Sequence, residues 1–383
     1  MTKPRIGVNL LWLLPDAAGG AEEYAIRLLH ALGDVTADTL EITLLCNRRF
    51  AAAHPGLAGR FRTAVAPIDG GSRVARISAE STWLLRVAST RHIHLIHHLN
   101  NVVPWLRNRP SVATIHDLRP MELPDTLDKF HGAYLRTRLR ASARRAAVIT
   151  TPTEFVRETV IELLGADPER VHVVSAPVAS PAVAPSTAPE ETSGAVVGNP
   201  FFLYPAITNP HKNHLTLLEA FADVAADHEE VGLFLPGAPG AAEDAVTRAI
   251  DDLGLTRRIR RLGRVSPGRL ATLVRDATAL VYPSMYEGFG LPLVEAMAAG
   301  CPVIASDRTA LPEVVGEAGI LVDPGDPQGW ADAMRRLLED EPLRARLITA
   351  GRERVRTFTQ VEAARRQVAA YRLALETRRG AAS

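Results

Sequence analysis

Two glutamates, Glu287 and Glu295, are separated by seven residues in the stretch EGFGLPLVE, and two glycines lie between them. A carboxylate accepts two hydroxyl donors at once, which suits the vicinal diol of a ribose or another sugar ring. Gly288 and Gly290 lack a Cβ, so the backbone can turn tightly and pass close to a bound ligand. The pattern therefore predicts a loop that contacts a sugar-bearing ligand, followed at once by a helix.

The flanking residues predict the elements that position this loop. ALVYPS, ending at Ser284, has the apolar pattern of a buried strand. Pro292 suits the first turn of a helix, and Gly300 suits its C-terminal cap. The loop would then lie at the positive end of a helix dipole, which favours anions and sugar hydroxyls. Taken singly, Glu287 could equally be a turn residue and Glu295 a solvated helix position.

Lysine is rare in this chain, so each lysine invites an explanation. Of 44 Lys and Arg residues, only Lys3, Lys129 and Lys212 are lysine. Lys212 follows the apolar run FFLYPA and opens the helical segment NHLTLLEAF, where a cation is unfavourable for the helix dipole. An ammonium is a compact charge that suits a diphosphate, so we interpret Lys212 as a phosphate ligand rather than a surface lysine.

The N-terminal half has weaker signals. Gly19 and Gly20 precede AEEYAIRLL, which predicts either a helix N-terminus near an anion or a flexible turn, and the pattern is not the GxGxxG dinucleotide fingerprint. His116 and Asp117 end the run SVATIHD. A histidine at a strand end is more often structural than catalytic, so these two residues alone decide nothing.

A metal site is not expected. In HIHLIHHLNN the histidines His92, His94 and His98 would share one strand face and His97 the other, but a strand pattern explains this spacing and no acidic cluster accompanies it. No DxD motif stands at the end of a predicted strand. We therefore expect a diphosphate to be bound without a metal ion and no cofactor to be needed.

The Arg-rich segment 129–145 has two interpretations. It is either a solvated helix face or a surface that binds anionic lipid or a phosphate-bearing acceptor. Net charge is +1 and nucleic-acid-binding motifs are missing, so no nucleic acid partner is expected. Only two cysteines occur, which suits a reducing compartment, and the apolar runs, including the one near the N-terminus, have the length of strands rather than of transmembrane helices. We therefore expect a cytoplasmic protein, with a peripheral membrane contact as an open alternative.

Short apolar runs alternate with amphipathic segments along the whole chain of 383 residues. This alternation predicts α/β architecture with two doubly wound, Rossmann-like domains facing a central cleft. The region from 179 to 199 is rich in Pro, Ala, Ser and Thr and is the best linker candidate. We therefore predict an N-terminal Rossmann-like domain at 1–178, a C-terminal Rossmann-like domain at 200–356, and a terminal helix at 357–383 that can cross back to the first domain.

EGFGLPLVE resembles the E-x(7)-E motif of retaining glycosyltransferases of family 4, the glycosyl transferases group 1. GGAEEY, IHDL, HKNHLTLLEAF, LGRVS and CPVIASDRTALPEVVGEAGILVDPGD also match that family, so the likeness covers most of the chain. The resemblance implies the GT-B fold and retention of anomeric configuration. It also implies that the domain at 1–178 binds the acceptor and that the domain at 200–356 binds the donor, a nucleotide diphosphate sugar. It implies that Glu295 holds the ribose, that Glu287 lies beside the transferred sugar, and that the backbone of Gly288, Phe289 and Gly290 contacts sugar and diphosphate.

Further site residues follow from the same resemblance. Glu287, His116 and Lys212 would be catalytic, with Lys212 on the diphosphate and His116 on the donor sugar. The donor-binding set adds the following residues: Gly19, Gly20, Asp117, Asn213, Leu291 and Arg264. Many family members carry an arginine shortly before the lysine, whereas this chain has ITNPH there, and Arg264 in LGRVS is a candidate substitute.

The predicted function is transfer of a sugar, with mannose as one candidate, to a hydroxyl of a glycan, a lipid-linked glycan or a small molecule. HKNH-type segments look like those of mannosyltransferases acting on polysaccharides. Two alternatives stay open from the sequence. The first is a nucleotide-sugar epimerase of the same fold, which needs no acceptor, and the second is a non-catalytic nucleotide-sugar-binding protein.

Overall fold

The computed structural model describes residues 3–15, 19–36, 38–126, 129–178 and 199–380. The chain divides into two compact units, one made of Met1–Pro177 with Phe358–Ser383 and the other of Val178–Thr357. Each unit contains a parallel sheet with helices between successive strands, so the predicted class of two parallel-sheet α/β domains is confirmed. The predicted linker lies outside the described residues except for Asn199.

The sheet of the first unit has the strand order β3-β2-β1-β4-β5-β6-β7 over the described ranges, and every neighbouring pair is parallel. Its strands are β1 (Arg5–Leu10), β2 (Glu41–Cys46), β3 (Arg62–Val65), β4 (Leu95–His98), β5 (Ser111–Thr114), β6 (Val148–Thr151) and β7 (Val171–Val173). The helices along this part of the chain are α1 (Gly20–Thr36), α2 (Arg48–Ala53), α3 (Pro55–Arg60), α4 (Arg73–Ser81), α5 (Trp83–Thr90), α6 (Arg119–Glu122), α7 (Lys129–Arg145) and α8 (Glu154–Leu164).

The sheet of the second unit has the order β10-β9-β8-β11-β12-β13 in the described residues and is also parallel. Its strands are β8 (Phe201–Leu203), β9 (Gly232–Pro236), β10 (Ile259–Gly263), β11 (Ala279–Tyr282), β12 (Val303–Ser306) and β13 (Ile320–Val322). The helices of this unit are α9 (His214–Asp227), α10 (Glu243–Asp252), α11 (Pro267–Asp276), α12 (Leu291–Ala299), α13 (Leu311–Val315), α14 (Pro327–Glu339) and α15 (Glu341–Val355). The strand order places β8 and β11 side by side at the centre, so the loops that follow them are neighbours.

The last helix, α16 (Gln360–Gly380), belongs to the first unit, where it packs on α1 and reaches β4, β5 and β6. Tyr371 anchors it through a buried hydrogen-bond chain. The Tyr371 hydroxyl lies 2.8 Å from His97 Nδ1, and His97 Nε2 lies 2.8 Å from Thr114 Oγ1. Thr114 in turn bonds Thr150 at 2.8 Å. Burial lowers the pKa of His97 well below its usual value, so the ring is neutral in this chain of hydrogen bonds.

β3 has no apolar run, so it is a strand that the sequence did not predict. β3 lies at the edge of its sheet, and of its residues Arg62–Val65 only Ala64 is buried, so it lacks the apolar pattern of a central strand. Among the helices in the described ranges, none combines the length and the apolarity that crossing a bilayer requires.

Candidate active site

The loop after β11 leads directly into α12, as the sequence predicts. β11 ends at Tyr282, slightly before Ser284, and α12 begins at Leu291. Gly290 is the N-cap residue in the left-handed conformation (φ 89°), and its carbonyl accepts from Leu293 N at 3.0 Å. Pro292 occupies the first turn and Gly300, also left-handed (φ 78°), caps the C-terminus. The predicted strand-loop-helix arrangement is therefore confirmed.

Two features of the structure require glycine at position 290. A Cβ on Gly290 would lie 2.6 Å from Leu311 Cδ2, and the positive φ disfavours any L side chain. Gly288, Phe289 and Gly290 are all buried in the unit. Packing against α13 and the predicted tight turn thus both require Gly290, and the approach of a ligand stays a prediction.

The centre of the site is an ion pair between Lys212 and Glu287. Lys212 Nζ lies 2.5 Å from Glu287 Oε1, and the two side chains are only 17% and 14% exposed. Ser284 Oγ donates to the same carboxylate oxygen at 2.5 Å. The backbone of Glu287 is held as well, since its N–H donates to Thr309 Oγ1 at 3.1 Å. The Glu287 carboxylate therefore links the loop after β8 to the loop after β11.

The electrostatic environment keeps this carboxyl group ionised. Burial by itself raises the pKa of Glu287, but the nearby Lys212 charge and the hydrogen bonds from Lys212 and Ser284 hold that pKa below its usual value. Burial, and then the charge of Glu287, raise the pKa values of Tyr204 and Tyr282, which stay neutral phenols. At neutral pH the site thus contains an ammonium, a carboxylate and neutral hydroxyl groups.

Lys212 is positioned by a short turn rather than by the helix itself. It ends the 3₁₀ turn Pro210–Lys212, and α9 begins only at His214, so the expectation that Lys212 opens the helix is corrected by this turn. The Tyr204 hydroxyl donates to the Lys212 carbonyl at 2.7 Å, and Nζ lies 5.5 Å from the Tyr282 ring centroid. The position of the ammonium is therefore set by the fixed backbone of the turn and by its contact with the Tyr282 ring.

Asn213 joins this turn to α9 in the left-handed conformation (φ 56°). Its Nδ2 donates to the Pro324 carbonyl at 2.7 Å, and its Oδ1 accepts from the Thr216 hydroxyl at 2.9 Å. Both ends of the amide are used inside the unit. These contacts hold the Lys212 turn in place, and the donor contact of Asn213 stays a prediction.

The other residues predicted for this unit are placed around the ion pair. Glu295 is half-buried on α12 and is close enough to Tyr282 to raise the pKa of that phenol. Leu291 is the half-buried first residue of α12. Arg264 is exposed just after β10. The structure thus places Glu295 near the Lys212–Glu287 pair, while Arg264 lies beyond the end of another strand.

A different arginine, which no motif in the sequence indicates, shares the surroundings of Lys212. Arg261 on β10 forms an ion pair with Glu243, whose other oxygen accepts from the Thr208 hydroxyl at 2.5 Å. Burial, then Arg261 and then Lys212, lower the pKa of His214 to about 4, so both cations act on this neutral ring. Thr208 lies in ITNPH, where many family members have an arginine. Its hydroxyl also accepts a hydrogen bond from Gly240 N, so it holds the neighbouring loop in place.

Comparison with known proteins matches both halves of the chain to family models. The model for Glycosyltransferase Family 4 matches residues 18–179, and the model for Glycosyl transferases group 1 matches residues 189–354. The O-antigen chain mannosyltransferase B of Escherichia coli is 30% identical over 284 residues, which cover 73% of this chain and 74% of that protein. The chain belongs to glycosyltransferase family 4.

Solved structures agree on the fold of this glycosyltransferase. Sucrose-phosphate synthase from Thermosynechococcus elongatus superposes with a TM-score of 0.75 at 22% identity, covering 100% of both chains. HepE from Anabaena, solved in complex with UDP and glucose, superposes with a TM-score of 0.71 at 20% identity, covering 96% of this chain and 98% of that chain. These similarities identify the GT-B fold, and the comparisons favour neither the epimerase nor the non-catalytic alternative.

The first unit of the glycosyltransferase carries the predicted residue His116 just beyond the end of β5. Its Nε2 donates to the Leu99 carbonyl at 3.0 Å, and the Tyr24 ring meets it edge-on at 4.9 Å. Burial lowers the pKa of His116, against the opposing influence of the Leu99 carbonyl and Asp117. The ring is therefore neutral, with Nδ1 as its acceptor nitrogen.

Asp117 and the two glycines occupy loop and helix ends of the same unit. Asp117 Oδ1 accepts from Arg119 N at 3.1 Å, which fixes the start of α6. Gly19 is left-handed (φ 55°) and Gly20 is the first residue of α1, and an added Cβ on either would meet no atom within 4 Å. The helix N-terminus that the sequence predicted as one alternative is thus present.

The histidine-rich segment contributes the strand β4. His97 and His98 lie on β4, whereas His92 and His94 precede it and His92 is left-handed (φ 53°), so the predicted alternation does not extend to His92. Within the part of the chain that the structure describes, no group of three His, Cys, Asp or Glu side chains could hold a metal ion.

Proposed function

We propose that this glycosyltransferase transfers a hexose from a nucleotide diphosphate sugar to an acceptor hydroxyl, with retention of anomeric configuration and with Lys212 in place of a metal. The carrying observation is the Lys212–Glu287 pair, which sets a cation and a hydroxyl-binding carboxylate 2.5 Å apart beside the start of α12. Mannose is the first candidate sugar, because the similar Escherichia coli protein is named an O-antigen chain mannosyltransferase. A glycan or lipid-linked glycan is the first candidate acceptor for the same reason.

The donor would be bound by the second unit. Lys212 neutralises the diphosphate, Glu295 accepts hydrogen bonds from the ribose hydroxyls, and Glu287 accepts them from the sugar. The backbone at Gly288, Phe289 and Gly290 lies at the positive end of α12 and adds to the potential that favours the diphosphate. The UDP bound to HepE supports a nucleotide diphosphate as ligand of this fold.

In the reaction that we propose, the acceptor oxygen forms a bond to the anomeric carbon while the bond from that carbon to the donor phosphate oxygen breaks. The acceptor attacks the same face that the diphosphate leaves, and its proton passes to the departing phosphate oxygen. Lys212 stabilises the charge that develops on the diphosphate. Because the ammonium is already fixed by Tyr204 and by its turn, it needs no reorganisation at that moment.

The first unit would contribute His116, Asp117, Gly19 and Gly20, as the family resemblance implies. His116 is suited to accept a hydrogen bond from a sugar hydroxyl, since its Nε2 is already engaged with the Leu99 carbonyl. We assign no covalent nucleophile to either unit.

Product analysis tests this function. The protein is incubated with GDP-mannose, UDP-glucose, UDP-galactose and ADP-glucose, each with and without a panel of glycan and polyprenyl-diphosphate-linked glycan acceptors, and in the presence of EDTA. We expect one donor to yield a new α-glycoside whose anomeric coupling in NMR spectra matches that of the donor. Inverted product would contradict retention, loss of activity in EDTA would contradict metal independence, and an epimerised donor without acceptor would favour the epimerase.

A basic and aromatic surface on the first unit extends the proposal to the membrane. We define it by the residues Arg73, Val74, Trp105, Leu106, Tyr134 and Arg145. Arg73 Cζ lies 4.1 Å from the Tyr134 ring centroid and Arg145 Cζ lies 4.9 Å from the Trp105 ring centroid, so α4, α7 and the 105–106 loop are joined by cation–π contacts. Val74 and Leu106 are 77% and 56% exposed.

Exposed apolar side chains between arginines are typical of surfaces that bind anionic lipid headgroups. We propose that this surface holds the enzyme peripherally at the inner face of the cell membrane, close to lipid-linked acceptors. Co-sedimentation with phosphatidylcholine vesicles, with and without phosphatidylglycerol, tests this point. We expect binding only to the anionic vesicles, and weaker binding for Val74→Ser/Leu106→Ser than for the control Leu253→Ser, whose site on the second unit is 39% exposed. Equal binding of both variants would contradict the assignment.

A further inference from the structure

The ion pair in the donor site contains a conflict that the proposed function must resolve. Lys212 Nζ already has an anionic partner, Glu287 Oε1, at 2.5 Å, although a donor would bring its own anionic diphosphate to the same ammonium. Both side chains are more than four-fifths buried, so a second anion cannot be added without cost in this environment of low dielectric. The Glu287 carboxylate and the diphosphate would repel each other beside the ammonium, and water screens this repulsion poorly because the pair is mostly buried.

The contacts around Glu287 indicate which group can move. The Lys212 turn is held at two points. The Tyr204 hydroxyl donates to the Lys212 carbonyl at 2.7 Å, and the side chain of the following residue, Asn213, donates to the Pro324 carbonyl. Glu287 is held at its backbone by Thr309, and its side chain accepts hydrogen bonds from Lys212 and Ser284 through Oε1 and from the Tyr282 hydroxyl. A rotation of the glutamate side chain breaks side-chain contacts alone, whereas a displacement of the lysine turn would also break its backbone contacts, so the rotation is the less costly movement.

We propose that Glu287 occupies the place of a donor phosphate oxygen on Lys212, so that donor binding releases its carboxylate from the ammonium and makes it available to the sugar hydroxyls. The inference rests on the proposed function, because it takes the diphosphate as the ligand of Lys212. It assigns Glu287 a second role, as an internal competitor that neutralises Lys212 while the site holds no donor. A ligand with a diphosphate but no sugar meets this competition without gaining the sugar contact.

The test is calorimetric binding of inorganic pyrophosphate, UDP, GDP and ADP to wild type, Glu287→Gln and Glu295→Gln. Glutamine preserves shape and removes one negative charge in each variant, and Glu295 is the matched control on the neighbouring helix. We expect Glu287→Gln to bind pyrophosphate and the cognate nucleoside diphosphate on the order of tenfold more tightly, which corresponds to about 1.4 kcal/mol. Glu295→Gln should leave pyrophosphate binding unchanged within about threefold, which corresponds to ~0.6 kcal/mol.

A second readout follows the exchange directly and uses the scarcity of lysine. With only Lys3, Lys129 and Lys212 in the chain, ¹⁵N-lysine labelling gives few side-chain ammonium signals, and the Lys212 signal is assigned by its loss in Lys212→Ala. In the protein without ligand, wild type and Glu287→Gln should differ in the Lys212 shift. With pyrophosphate bound, the two shifts should coincide, because Glu287 has left the ammonium.

Three results would overturn the proposal. They are weaker or unchanged pyrophosphate binding in Glu287→Gln, equal tightening in Glu287→Gln and Glu295→Gln, and Lys212 shifts that still differ in the pyrophosphate complexes. Suppose that either pyrophosphate result is found, while wild type binds a nucleoside diphosphate and Lys212→Ala abolishes that binding. The donor site at Lys212 is then supported, and the competition by Glu287 is refuted. If wild type binds none of the four probes, the proposed function fails together with the inference.

Discussion

Replacing Lys212 with methionine isolates the electrostatic part of the site, because methionine keeps the apolar stem and removes the ammonium. The side chains of Lys212 and Glu287 are 17% and 14% exposed, so the pair lies between the surface and the core. Exposed pairs contribute ~0–1 kcal/mol and removal of one partner from a fully buried pair costs ~3–5 kcal/mol. We expect the variant to lose about 2–3 kcal/mol of the free energy of unfolding of the second unit at neutral pH.

The pH dependence gives this prediction its sign. In wild type the folded-state pKa of Glu287 is depressed, so its stabilisation is present above the unfolded value of about 4.3 and is lost as pH falls through the folded value. Without Lys212, burial raises the folded-state pKa of Glu287, so the buried carboxylate destabilises the fold at neutral pH. This destabilisation disappears as pH falls through the raised pKa, because the carboxyl group becomes protonated. The difference between wild type and variant should therefore shrink from pH 7.5 to pH 5.

Hydrogen–deuterium exchange in increasing urea, read on peptides from β11 and α12, measures the stability of the second unit alone. The double variant Lys212→Met/Glu287→Gln is the control, since it removes the unpaired charge. We expect it to recover most of the loss at pH 7.5. A loss that is the same at both pH values, or no recovery in the double variant, would refute the electrostatic reasoning.

Two further substitutions test the packing that supports the fold. Tyr371→Phe removes the hydroxyl that bonds buried His97, and we expect the first unit to lose about 1–3 kcal/mol in urea unfolding, whereas no loss would show that the buried chain carries no stability. Gly290→Ala combines a positive φ with a Cβ 2.6 Å from Leu311 Cδ2, so we expect a loss of about 2–4 kcal/mol in the second unit. Gly20→Ala, in open space at the start of α1, should be nearly neutral in the same measurement, and an equal loss in both alanine variants would contradict this assignment.

The sequence was most informative where local chemistry determines local structure. Pro292 and Gly300 bracket α12 because their backbone preferences hold in any context, and both helix ends follow the prediction. Lys212 was singled out as a candidate phosphate ligand because lysine is rare in this chain and because a cation is unfavourable at a helix N-terminus. The edge strand β3 was missed because an exposed edge needs no apolar alternation.

The contacts across the site could not be predicted, because they join residues that are distant in sequence. Glu287 and Lys212 are 75 positions apart, and each was assigned a ligand of its own without the ion pair that joins them. The same limit applies to Asn213, whose partner Pro324 lies 111 positions away, and to Arg261, whose partner Glu243 precedes it on α10. Which loops meet is decided by the order of the strands in the sheet, and that order appears only in the folded chain.

We propose that a nucleotide diphosphate sugar binds the second unit with its diphosphate on Lys212 and its ribose on Glu295. Calorimetric titration of Lys212→Ala and Glu295→Ala with the donor identified in the product screen tests it most directly. We predict that each variant loses on the order of tenfold or more in donor affinity, about 1.4 kcal/mol or more, while staying folded. Donor affinity equal to that of wild type in both variants would contradict the account.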